Sequence, residues 1–212
     1  MVENKQKAFL IRILIGLSIY FTLMFSYPVI ESGVSSFMGK FNSQVADKFN
    51  RNEGFNNKYI IFEVQDGELV SYIKNKSIKM GLAGDTAFIK NNLRTHIYMP
   101  FVFVLAISVL FNSRKRWLFI YLSLLVTFIF IEFKLWLYIY DQSNHLLIIT
   151  DQGEYVPQLK EGFISWIANT MNKVINIKGA IYFRYIFLLV SCTLLYIVMN
   201  KNHKLNFQKF IA

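Results

Sequence analysis

Residues 8–30 read AFLIRILIGLSIYFTLMFSYPVI, one apolar run broken by a single charge, Arg12. Its length matches the ~20 residues that a helix needs to cross a bilayer core. Three further runs follow, at 97–111, 117–140 and 180–199. What separates the four runs fixes their direction. The pieces 1–7, 112–116 and 200–212 carry Lys5, Lys7, Arg114, Lys115, Arg116, Lys201, Lys204 and Lys209 against one acid, Glu3. The longer pieces 31–96 and 141–179 hold twelve Lys/Arg and eleven Asp/Glu. Short basic loops stay in the cytoplasm. The pattern predicts a four-span transmembrane α-helical bundle with both termini cytoplasmic. A small α+β extracytoplasmic module is then formed by the two outer segments.

The chain has 212 residues, 54% of them apolar and 17% aromatic, with a formal net charge of +10. Such a charge suits nucleic acid, but here the excess lies beside the spans, where it suits anionic lipid heads. A nucleic-acid partner is therefore not expected; the lipid bilayer is. The single cysteine, Cys192, cannot form an internal disulfide and reads as a small apolar residue inside span 4. The first run is long and lacks a small-x-small cleavage site, so it reads as an uncleaved signal anchor.

The first outer segment opens with a predicted amphipathic helix. Val34, Phe37, Met38, Phe41, Val45 and Phe49 recur at helical spacing, with Ser36, Lys40, Ser43, Asp47 and Lys48 opposite. Residues 50–57 read as loop. Two β-prone runs, 58–64 and 69–74, then flank Gln65-Asp66-Gly67-Glu68, and Asp-Gly is a turn pair that closes tight hairpins. Residues 77–82 and 86–90 are candidate further strands. Span 2 is short and has Pro100 in its first turn, where a missing N–H costs little. The turn 112–116 makes spans 2 and 3 a hairpin. In span 3, Trp117 marks the inner interface, and Trp136, Tyr138 and Tyr140 mark the outer one. The second outer segment has a β-prone run at 145–150, a turn at 151–153 and an amphipathic stretch at 161–177. The piece 200–212 is a basic cytoplasmic tail.

Glu132 is the one acid within a span. Arg184, on the antiparallel span 4, should lie at similar depth. An ion pair between them would offset part of the cost of burying both charges. The favoured role for Glu132 and Arg184 is structural. Lys134 sits near the outer end of span 3, where its long stem reaches the interface. The other reading takes Glu132, Arg184 and Lys134 as a polar intramembrane site. His96, His145 and His203 lack the spacing of a zinc site. Neither Cys192 nor Ser191 has a base at its depth. No catalytic set, metal site or cofactor is expected.

The order of parts carries a resemblance. A first span opens Phe9-Leu10-Ile11-Arg12-Ile13-Leu14. An outer segment with a hairpin follows, then a short span entered through Asn92-Leu93 and Tyr98-Met99-Pro100-Phe101. A basic turn, a span with charge near its outer end and a last span with a basic tail complete it. This order resembles the exosortase-associated membrane proteins, the exosortase H-associated type in particular. The resemblance implies a non-enzymatic accessory in the bacterial inner membrane, assisting an exosortase-like protein-sorting enzyme that handles exported substrates. The alternative is a subunit of a membrane enzyme or transporter built around Glu132 and Arg184.

Overall fold

The computed structural model describes residues 2–51, 58–75, 86–111, 115–144, 147–149, 155–157, 163, 166–167, 170 and 180–200. The fold is mostly helical, with two long apolar helices and a small three-stranded sheet. Helix α1 spans Val2–Arg51, α2 Met99–Ser108, α3 Arg116–Asn144 and α4 Ala180–Met199. Strands β1 (Lys58–Gln65), β2 (Glu68–Asn75) and β3 (Thr86–Asn92) lie between α1 and α2. A short pair, β4 (Leu147–Ile149) and β5 (Tyr155–Pro157), lies between α3 and α4. The candidate strand at 77–82, the turn at 151–153, most of the stretch 161–177 and the tail fall outside the described residues.

Contacts divide the chain into two compact units. One comprises Met1–Val29, Thr95–Glu132 and Lys178–Ala212; the other comprises Ile30–Arg94 and Phe133–Ile177. Helices α1 and α3 contribute to both.

The first unit is helical. Its core gathers Val104, Phe111, Phe119, Leu188 and Cys192. The rings of Phe111, Phe119 and Tyr196 form a triangle with centroids 5.2–6.2 Å apart. Helices α1 and α2 run antiparallel here. A Cβ built on Gly16 would stand 2.9 Å from the Ala106 carbonyl oxygen, and the Tyr98 hydroxyl donates to the Leu23 carbonyl at 2.7 Å. A π-helical turn, Arg94–Tyr98, leads into α2. Each helix hides a hydroxyl on its own backbone four residues back. Ser26 donates to Thr22, Ser108 to Val104, Thr127 to Ser123 and Thr193 to Leu189, at 2.6–2.8 Å. That bond satisfies a polar group without any neighbour, which suits a helix in apolar surroundings.

The second unit packs the sheet on the C-terminal part of α1. The strands form an antiparallel meander, β1-β2-β3, with Ile60 opposite Ile73 and Ser71 opposite Ile89. The hairpin turn is Asp66-Gly67, both at positive φ (50° and 73°), with Gln65 opposite Glu68. This is the two-residue turn whose twist matches the strands. The buried stripe of α1 is Met38, Asn42 and Ala46, each 2% exposed or less. The expected face is corrected accordingly: Phe37 and Phe49 are exposed, whereas Asn42 is sealed. Small residues let the sheet come close. Gly39 illustrates this, since a Cβ there would stand 3.0 Å from Val64 Cγ2. Trp136 of α3 packs on Phe49 at 4.8 Å and on Phe62 at 5.8 Å.

One difference from the sequence reading concerns a helix end. The run 8–30 and the amphipathic helix after it form one helix, which continues through Pro28 to Arg51. Among the described residues, Gln6–Arg51 and Arg116–Ser143 are each long and apolar enough by themselves to cross a membrane.

Candidate functional site

Glu132 and Lys134 are both half-buried on α3, and one Glu132 oxygen, Oε2, has no solvent contact. The side chain of Arg184 lies outside the described residues, so the expected pair is not seen directly. Ring contacts nevertheless give the register of α3 against α4. Phe119 meets Tyr196 at 6.2 Å and Phe130 stacks on Phe187 at 4.4 Å, so the helices run antiparallel. Continuing that register brings position 184 level with Glu132.

The remaining candidates separate. His96 is half-buried in the π-helical turn; His145 and His203 lie outside the described residues. Cys192 is 3% exposed within the apolar core of the first unit, beside Leu188 and Phe119. Among the described residues, no group of three or more His, Cys, Asp or Glu is placed to hold a metal ion. Of the second amphipathic stretch, Phe163 and Trp166 are described, both exposed, with rings stacked at 6.2 Å.

Two features escape the sequence reading. The first is the outer edge of β1. The Asn50 side chain accepts from the Ile60 N–H at 2.9 Å and donates to the Ile60 carbonyl at 2.8 Å. Ser43 Oγ reaches the Phe62 carbonyl at 3.5 Å. Helix α1 therefore covers this edge with polar side chains. The second is a cleft of about 410 Å³ in the first unit, lined by Gly16, Leu17 and Tyr20 of α1, Ala106 of α2, Leu110 just after it, and Tyr185 of α4, among others. Its walls are almost wholly apolar. A single glycine at 16 is the one trace of it in the sequence.

Comparison of the chain with protein-family models, with curated proteins and with solved structures finds no match.

Proposed function

We propose that this chain is a four-span integral membrane protein with both termini cytoplasmic, acting as a non-enzymatic accessory through residues 31–96 and 141–179 on the outer face. The observation that carries the membrane part is the exposure of its apolar helices. In the most apolar 18-residue window of Gln6–Arg51 only 6% of residues are buried, and in that of Arg116–Ser143 only 28%. The core helix of a soluble protein buries such residues, because each large apolar side chain left in water forgoes about 1.5–3 kcal/mol. Leu14, Phe25, Tyr121 and Val198 are each more than half exposed. A bilayer removes that cost. Helix α4, 20 residues long, is of spanning length, and the short α2 completes the span count by packing against the long helices and by local thinning. Basic residues in the short loops set the orientation.

The accessory part rests on the outer segments and on the order of parts shared with exosortase-associated proteins. A three-stranded sheet on a helix is a surface for a protein partner, here an exosortase-like enzyme or an exported substrate. Glu132 and Arg184 tie α3 to α4. A second reading makes Glu132, Arg184 and Lys134 the polar lining of a membrane enzyme or transporter subunit, and the shared level of positions 132 and 184 favours it to that extent.

Mild-detergent purification of the full chain from native membranes, with mass spectrometry of what stays bound, tests the proposal. A multi-span sorting enzyme or an exported protein in the eluate is expected. A chain that purifies alone, or with a lipid-linked sugar or another small polar ligand, would overturn the accessory reading and favour the second.

A further inference from the structure

We propose that the apolar cleft between α1, α2 and α4 holds one anionic phospholipid, with an acyl chain in the cleft and its phosphate on Arg12. This inference rests on the membrane reading above. The cleft's volume, about 410 Å³, falls inside the roughly 300–1,000 Å³ of sites that take small molecules. Gly16 lies in its wall. Because it has no Cβ, the α1 backbone comes up to the Ala106 carbonyl, and Leu17, Tyr20 and Leu110 line the cleft around that approach. Tyr185 of α4 supplies a further wall, its ring 4.8 Å from that of Phe103. In hydrocarbon such a groove fills with an acyl chain.

Arg12 decides which lipid. Residues four apart on a helix share a face, so Arg12, Gly16 and Tyr20 rise in one row. The antiparallel register, fixed by Gly16 at Ala106 and by Tyr98 at Leu23, puts Arg12 level with Leu110 at the N-terminal end of the cleft. Lys115 and Arg116, both exposed, follow Leu110 by five and six residues in the chain. Arg12 is half-buried and makes no ion pair with any described residue. A guanidinium at this depth needs a counter-charge, and its planar fork matches a phosphate. A zwitterionic head group would bring its own cation against Arg12. An anionic head group meets no such repulsion.

The test is native mass spectrometry of the full chain in detergent, titrated with phosphatidylglycerol or with phosphatidylcholine of the same chains. The first equivalent of phosphatidylglycerol should bind about tenfold more tightly, the ratio that 1.4 kcal/mol gives. Arg12→Gln should erase that preference while leaving a lipid bound. Leu17→Trp, on an exposed wall away from the Gly16 approach, should weaken both lipids alike. Equal binding of the two lipids by the wild type, an unchanged preference in Arg12→Gln, or unchanged binding in Leu17→Trp would each overturn the proposal. So would a protein segment found occupying the cleft in its place. Carbonate washing of the source membranes separates the two levels of failure. A chain that washes off refutes the membrane reading itself, whereas a chain that stays and shows no lipid preference refutes only the lipid site.

Discussion

Asn50 presents to Ile60 the same donor and acceptor that a neighbouring strand would, through one side-chain amide. An open strand edge is a template for pairing with other chains, and polar side chains laid along it remove that hazard. Asn50→Ala leaves both Ile60 backbone groups without this partner, which costs about 1–3 kcal/mol. Faster hydrogen exchange across residues 58–65 should report the loss; unchanged exchange would show that the edge does not need the amide. None of this was legible in the sequence, where an Asn beside further Asn and Gly reads as loop. The buried stripe of α1 was misread for a related reason. Apolar size pointed to Phe37 and Phe49, but close packing selected the small Ala46 and the sealed Asn42. Glu132 stands out in the sequence as the one acid inside an apolar run, and one of its oxygens has no solvent contact. Arg12 was legible as the single charge in its run; that it lies level with Leu110 of the cleft became visible only through the register of α1 on α2.

Among the elements, the β1–β2 hairpin was the clearest in the sequence, since Asp-Gly between β-prone runs specifies both the turn and the register. Gly67 has φ +73°, and a Cβ there would stand 2.6 Å from Glu31 Oε1. Gly67→Ala should therefore destabilise the second unit by about 1 kcal/mol or more, measured as a lower midpoint of thermal unfolding in detergent. Asp66→Gly is the control and should cost far less, because glycine takes positive φ freely. Equal effects from the two would refute the turn assignment. Helix α1 was legible as apolar but not as continuous. Proline inside a helix costs about 3 kcal/mol in water, yet α1 passes through Pro28. In apolar surroundings the alternative, backbone groups with no water to meet them, is worse. In the turn before Pro28, hydroxyls of Ser26 and Tyr98 take the Thr22 and Leu23 carbonyls. Helix α2 was legible by its Pro100 start, but nothing in the sequence announced the π-helical turn before it.

For the whole molecule, the sorting of charge across the segments argues topology more directly than any contact does. Reporter fusions after Lys115 and after Lys204 should read cytoplasmic, and fusions after Asn75 and after Gln158 external. One reversed reading would break the four-span arrangement. Residues 31–96 and 141–179 differ in composition from the apolar runs, and most of them fall in the second unit. The allocation of residues 133–140 of α3 to the second unit was not foreseen, since they lie inside the apolar run 117–140. The Asn50–Ile60 bond has one more consequence, which concerns time. Its partners are ten residues apart, the hairpin closes over two residues, and β3 pairs with the strand before it. Contacts this local form early. The sheet can close on α1 while the chain is still being made, and Trp136, 44 residues beyond the end of β3 at Asn92, arrives to cover rings already in place.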